Sequence, residues 1–378
     1  MESGVPSGKT ATYMSQNFLS RATLNRSAFR PRALKSFGPP ERSSQSESQV
    51  RTIVGKCLIV GAGLSGLTVA RILRDAGHKV FVLEKRHYLG GTCADYAHDG
   101  YFINLHGPHL FHTDDERVWK FLSRFTDWLP YQHRVSAVTD KGIVPVPFND
   151  VSASIVGDLD EQGIIDLLFR GYSRKMWGVE WEQIPESSTS RVSRRRQGTD
   201  CRYFTSRYEG IPKDGYSSMF LRVAEGIDVA LGVDENEWRR WRDRFDRVVY
   251  CGSPDALFDY AHGRLRFRSL RFVMEWGKSR PGDACVLNNC TATGPTRTTD
   301  YAAMYGAKRN IVPLVSEYPC DSDEMEPYYP MWDHETHTKY EKDAAAERIG
   351  LLGRIARYQH LDMDAAIKQA MEIVKRCC

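Results

Sequence analysis

At 378 residues, 41% hydrophobic and 26% charged, the chain has the composition of a globular protein with room for one large or two ordinary domains, which excludes disorder throughout. The net charge is only +4, and much of it falls in the first 56 residues, where nine Lys/Arg face three Glu; the near-neutral remainder is no footprint for nucleic acid. No apolar run is long enough to span a bilayer. Nine cysteines without a CxxC pair point to a reducing, cytoplasmic compartment and not to a disulfide scaffold.

The first fifty residues are rich in Ser and Arg and poor in acids. They read as a disordered tail or a transit-peptide-like segment with organellar targeting, and are set apart from the fold. Folded sequence begins near Arg51. Cys57 to Val60 is a short apolar run; Val69, Ile72, Leu73 and Ala76 then mark one helix face, and Val80 to Leu83 is a second strand, so the start is a βαβ unit. Residues 150–173 read as helical, and 187–200 as a loop rich in Ser and Arg. "DRVVYCGSP" (246–254) reads as a buried strand ending in a turn, and "RLRFRSLRFVMEW" (264–276) alternates like sheet. Ile367, Ala370, Met371 and Val374 give an amphipathic helix from about Ala365. Beyond it, Cys377 and Cys378 read as an unmodified tail rather than a lipidation site.

The loop Gly61-Ala62-Gly63-Leu64-Ser65-Gly66 lies between the first strand and its helix. The first glycine permits the tight turn, the second lets backbone N–H groups approach a pyrophosphate, and the third lets helix and sheet pack closely. Glu84, followed by Lys85, ends the next strand, where a carboxylate accepts hydrogen bonds from ribose hydroxyls and repels a 2′-phosphate. FAD or NAD is thereby selected over NADP. The continuation "EKRHYLGGTCAD", with its Gly90-Gly91 turn, resembles FAD-dependent proteins of the glutathione-reductase-like superfamily. The fold class is therefore α/β: a Rossmann-like FAD-binding domain over 51–378 assembled from non-contiguous segments, with an inserted small helical region at about 114–185 and an antiparallel sheet at about 200–330.

Eight further segments, in order, resemble the UDP-galactopyranose mutase family: "HGPHLFHTDDERVW", "YQHRVSA", "VPVPFN", "FRGYSRKMWG", "CRYFTSRYEGIPKDGYSSM", "GPTRTTDY", "PYYP" and "GRIARYQHLDMD". The resemblance implies interconversion of UDP-galactopyranose and UDP-galactofuranose, in which N5 of reduced FAD attacks the sugar's anomeric carbon as UDP leaves. It implies NADH, NADPH or another reductant, and a homodimer in bacterial members. Arg191 and Arg297 match the two arginines that clamp the diphosphate, a task suited to a planar guanidinium; Arg194, Arg195 and Arg196 blur the register of Arg191. Tyr172 and Trp177 match the uridine and sugar end, and Tyr203, Tyr328 and Tyr329 match tyrosines whose hydroxyls reach phosphate. His109 matches a residue whose backbone meets flavin N5. Gly91, Arg354, Asp362 and Met363 complete the cofactor set, the last two at the start of the final helix, whose N-terminal dipole favours an anionic flavin. His112 reads as a structural hydrogen-bonder, and no metal is expected.

Two departures stand out. Residues 150–169 leave little room for the helices the family carries there, and His360 replaces a common tyrosine. Two alternatives stay open: an FAD-dependent amine-oxidase-like oxidoreductase, and a flavin-binding homologue that has lost activity.

Overall fold

The computed structural model describes residues 12–13, 55–190, 193–234, 237–279, 282–307, 309–321 and 325–377. Arg191, Cys378 and, apart from Thr12–Tyr13, the N-terminal tail lie outside them. The described chain divides into two compact units that cross its sequence: one holds Cys93–Tyr216 and Arg266–Asp333, the other the glycine loop, Ser217–Leu265 and the C-terminal segment from His334.

The unit with the glycine loop is organised by a parallel sheet. Its strand order is Asp228–Leu231, Lys79–Glu84, Lys56–Val60, Arg247–Tyr250, Ile349–Leu351. Central strands of such a sheet read as continuous apolar runs because both faces are covered, and here Ile59 lies between Val82 and Val249 with no exposure to solvent. The expected βαβ start is present as strand Lys56–Val60, helix Leu64–Asp75 and strand Lys79–Glu84. On that helix Val69 and Leu73 are buried with Leu67 and Ala70, whereas Ala76 caps the end and is exposed. The amphipathic helix expected near the C-terminus runs Met363–Cys377 and packs on helix Leu64–Asp75. One hydrophobic core, including Leu58, Phe81, Trp238, Val248, Ile349 and Ala356, ties the late segments to the early ones.

The other unit is built on a mixed sheet. Its main path is Thr12–Tyr13, Phe267–Lys278, Ile311–Asp321, Arg297–Asp300, Val286–Asn289, Val135–Thr139, Gly142–Val146, with Tyr329–Pro330 also paired to Phe267–Lys278. The expectation of an antiparallel sheet needs one correction: Val286–Asn289 runs parallel to Val135–Thr139. Two boundaries also shift. The stretch 114–185 holds strands Trp128–Pro130, Val135–Thr139 and Gly142–Val146 besides its helices, and Arg247–Tyr250 belongs to the parallel sheet. Within the tail, Thr12–Tyr13 pairs with Val273 and Met274.

The helical region 150–177 comprises helix Asp150–Val156, helix Glu161–Ile164, a π-helical turn Ile165–Arg170 and helix Gly171–Trp177. Asn149 starts it with a capping box, its side chain accepting from Ser152 N–H while the Ser152 hydroxyl accepts from Asn149 N–H. The loop expected over 187–200 begins instead inside a short helix, Glu186–Thr189.

Candidate active site

In the unit with the parallel sheet, the glycine loop turns directly into helix Leu64–Asp75. A Cβ on Gly66 would lie 1.9 Å from the Gly61 carbonyl oxygen, so only glycine lets the helix begin this close to the preceding turn. Gly91, at φ +58°, packs its backbone against Gly63, and Gly90 N–H donates to the Ala62 carbonyl at 2.8 Å. The Gly90–Gly91 turn is thus fastened to the phosphate loop. Glu84 is 3% exposed, and its carboxylate accepts from Ala62 N–H at 2.7 Å and from Arg86 N–H at 2.9 Å. These bonds fix its direction and leave lone pairs on both oxygens for ribose hydroxyls.

Leu64 and Ser65 open the helix, and Ser65 meets the C-terminal segment: a Cβ on Gly353 would be 2.8 Å from its hydroxyl oxygen. Arg354 follows Gly353 in helix Gly353–Ala356. His360 and Asp362 lie between this helix and the last one, which Met363 starts. Lys85 directly follows strand Lys79–Glu84.

In the unit with the mixed sheet, Arg297 begins strand Arg297–Asp300. Its Nη2 donates to the Tyr172 hydroxyl at 3.4 Å, its Nε to Asn288 Oδ1 at 3.3 Å, and Nη1 lies 3.8 Å from Glu317 Oε1. Burial disfavours the Arg297 charge, but facing Tyr172 and Glu317 hold its pKa above the usual value; Tyr329 and Tyr203 act in the same direction. Burial pushes the Tyr172 phenol up and raises the Glu317 carboxyl, which Arg297 pulls back down. Tyr172, Tyr203, Arg297 and Tyr329 are thereby brought together. Trp177 joins them through an edge contact with Tyr329, ring centroids 5.7 Å apart.

Tyr328 is placed differently. Its hydroxyl donates to the His106 carbonyl at 2.8 Å, so it braces the loop that carries His109. His109 N–H is held on that loop by Asn104 Oδ1 at 3.3 Å, and its Nδ1 lies 2.9 Å from the Gly107 carbonyl oxygen. His112 pairs with the Ser206 hydroxyl and stacks on Phe204, a structural hydrogen-bonder as expected. Near Arg297 sits a polar cluster: Tyr131 hydroxyl lies 2.7 Å from Cys285 Sγ and 3.2 Å from His133 Nδ1. Burial, then the neighbouring Arg297 and His112 charges, depress His133 to about 3, so it is neutral. Burial pushes the Cys285 thiol up to about 12.

The three arginines that blur the register of Arg191 are each engaged elsewhere. Arg194 pairs with Glu161, Arg195 with Asp158 at 2.9 Å, and Arg196 with Asp200 at 3.7 Å. Asn288 and Glu317 are partners of Arg297 that sequence reasoning missed. The available signal was a lone acid within the apolar run "IVPLVSEYP". Among the described residues no group of three or more His, Cys, Asp or Glu is arranged to hold a metal ion, and no helix is long and apolar enough to cross a membrane.

A glycine-loop cradle on a parallel sheet, with a tyrosine-framed arginine on a second, mixed sheet, defines an α/β nucleotide-cofactor protein of the Rossmann-like class. Known proteins make the class specific. The profile of the UDP-galactopyranose mutase family matches residues 167–360, and that of NAD(P)-binding Rossmann-like domains matches 59–125. A dTDP-fucopyranose mutase of Escherichia coli is 31% identical, covering 84% of this chain and 97% of that protein. The UDP-galactopyranose mutase of Mycoplasma pneumoniae is also 31% identical, covering 83% and 94%. The crystal structure of reduced UDP-galactopyranose mutase shares the fold, with a TM-score of 0.67 at 16% identity over 85% of this chain and 95% of that one. The chain belongs to the UDP-galactopyranose mutase family, whose members are flavin-dependent isomerases. The amine-oxidase alternative falls away, since likeness to amine and amino-acid oxidases is only distant.

Proposed function

We propose that the chain interconverts the pyranose and furanose forms of UDP-galactose, with FAD as the flavin and NADH or NADPH as its reductant. The observation that carries this reading is the Arg297 fork, held on three sides by Tyr172, Asn288 and Glu317. A guanidinium anchored in this way stays oriented while diphosphate charge develops, and donors that need not reorganise are the ones that lower a barrier. Arg191 is the second cation of the clamp.

The glycine loop fits the cofactor. A Cβ on Gly63 would come no nearer than 3.8 Å to a protein atom, so the need for glycine there lies with a ligand that approaches the backbone, as a pyrophosphate does. Glu84 takes the adenosine ribose, and Leu64, Ser65, Lys85, Gly91, Arg354, Asp362 and Met363 complete the set. Reduced FAD supplies the nucleophile for the sugar's anomeric carbon. The chain's own work is to bind and to orient. Trp177 and Tyr172 present aromatic surface to uracil. Burial keeps the Tyr172 phenol protonated, and Tyr203 and Tyr329 reach phosphate oxygens as donors. His360 stands in for a tyrosine and donates through its imidazole.

Flavin-loaded protein reduced with dithionite is expected to convert UDP-galactofuranose to UDP-galactopyranose, followed by chromatography. Protein that binds both FAD and UDP yet turns nothing over overturns the reading in favour of a homologue without activity. The equal identity to the Escherichia coli protein named dTDP-fucopyranose mutase favours one second reading, a dTDP-6-deoxysugar substrate. Running the same assay with dTDP-fucofuranose decides between the two.

A further inference from the structure

One member of the aromatic cluster is not accounted for by the site above. Trp332 follows the Tyr328-Tyr329-Pro330 segment with its backbone in the left-handed region, φ +60°. Glycine and asparagine adopt that conformation readily, but a residue with a bulky ring does so only where its surroundings impose it, and such strain gathers at functional sites. The surroundings here are specific. The Trp332 ring lies 5.1 Å from that of Trp177, tilted by 47°, and its indole Nε1–H donates to Ser188 Oγ at 2.8 Å. Trp177 is flanked in turn by Tyr329.

Trp332 therefore joins three pieces of chain: the strand end with Tyr329, the helix with Tyr172 and Trp177, and helix Glu186–Thr189, from which the chain runs on to Arg191. The ring is half-buried, and an apolar side chain of ordinary geometry would fill space there without needing an unfavourable φ or an anchored N–H.

We propose that Trp332 is a positioning residue for the nucleotide end of the site: wedged between Trp177 and Ser188, it holds the Trp177 ring in the orientation that receives a pyrimidine base. The proposal rests on reading the pocket as a nucleotide-sugar site. A ring held in place before the ligand arrives spares the cost of ordering it on binding. Its loss weakens nucleotide and substrate binding alike and leaves the chemical step intact.

The test uses the full-length, flavin-loaded protein with UDP as probe. Trp332→Asn tolerates the left-handed backbone but removes both ring and N–H. The expected result is a UDP Kd and a KM about tenfold weaker, a kcat within about twofold of wild type, and an undiminished melting temperature, since strain is relieved. Ser188→Ala, which removes only the anchor, is expected to weaken UDP by about threefold. In a Trp177→Ala background, Trp332→Asn is expected to add nothing, because the ring it positions is gone. An unchanged Kd, a loss of kcat and melting temperature at constant Kd, or an undiminished effect without Trp177 each overturn the proposal. If Trp332→Asn does not fold, Ser188→Ala decides by the same Kd criterion. Wild-type protein that fails to bind UDP overturns the functional reading with it; wild-type binding matched by both variants overturns the role of Trp332 alone.

Discussion

Replacing Arg297 by Met removes a cation and leaves the Glu317 carboxyl, 3% exposed, without its counter-charge. The two groups lie 3.8 Å apart, and unit charges at that separation interact by about 4 kcal/mol at an effective dielectric constant of about 20. The Arg297 side chain is 27% exposed, and solvent screening reduces the loss to about 2 kcal/mol. Burial already raises the Glu317 pKa and Arg297 opposes the rise, so the variant raises it further. A carboxyl whose folded pKa lies above its unfolded value takes up its proton on folding. Stability contributed in this way is present at acid pH and is lost as pH rises from the unfolded value of about 4.3 through the folded one. The deficit of Arg297→Met relative to wild type is therefore expected to be small at pH 4.5, to grow with pH and to level off at about 2 kcal/mol near pH 8. Urea unfolding across this range measures it, with Arg297→Met/Glu317→Gln as the partner experiment, which is expected to recover most of the loss at pH 8. A deficit equal at pH 4.5 and pH 8, or one the second substitution leaves untouched, refutes the pairing.

Gly66→Ala puts a methyl 1.9 Å from the Gly61 carbonyl oxygen, and is expected to cost about 1–3 kcal/mol and to abolish bound flavin, read from the visible spectrum and a melt. Cys290 Sγ donates to the Leu168 carbonyl inside the π-helical turn at 2.9 Å, and burial pushes its thiol up to about 12; Cys290→Ala is expected to lose about 1 kcal/mol and Cys290→Ser to retain most of it. With a thiol pKa pushed to about 12 by burial, Cys285 is expected to resist alkylation at pH 8 in the native protein while half-buried Cys201 reacts, as mass spectrometry of iodoacetamide-treated samples reports.

The parallel-sheet unit was the more legible because its signals are local. A glycine loop, an acid at the end of the next strand and apolar runs of four or five residues each constrain a few neighbouring residues, and Gly66, Glu84 and the last helix stand where their patterns put them. The mixed sheet was legible only in part. Strand Phe267–Lys278 announces itself by alternation, but its long partner Ile311–Asp321 carries two prolines, two acids and apolar neighbours without a period, so its place came from pairing rather than pattern. Tyr328 illustrates the same limit within the site. Tyr328 precedes the short strand that Tyr329 begins, their rings lie 4.7 Å apart, and nothing local says that the Tyr328 hydroxyl braces the His106 carbonyl. Glu317 and Asn288 escaped notice because they act through Arg297, and no residue pattern marks an arginine's partners.

The parallel sheet also imposes an order on biogenesis. Strand Ile349–Leu351 completes its edge, and the final helix lies against the one that opens the glycine loop. Early strands therefore wait for nearly the whole chain to leave the ribosome before their hydrophobic faces are covered, a non-local closure that slows folding and lengthens exposure to aggregation. A message truncated shortly before codon 349 would yield a polypeptide with its phosphate loop intact and no shelter for it, a natural client for chaperones and proteases.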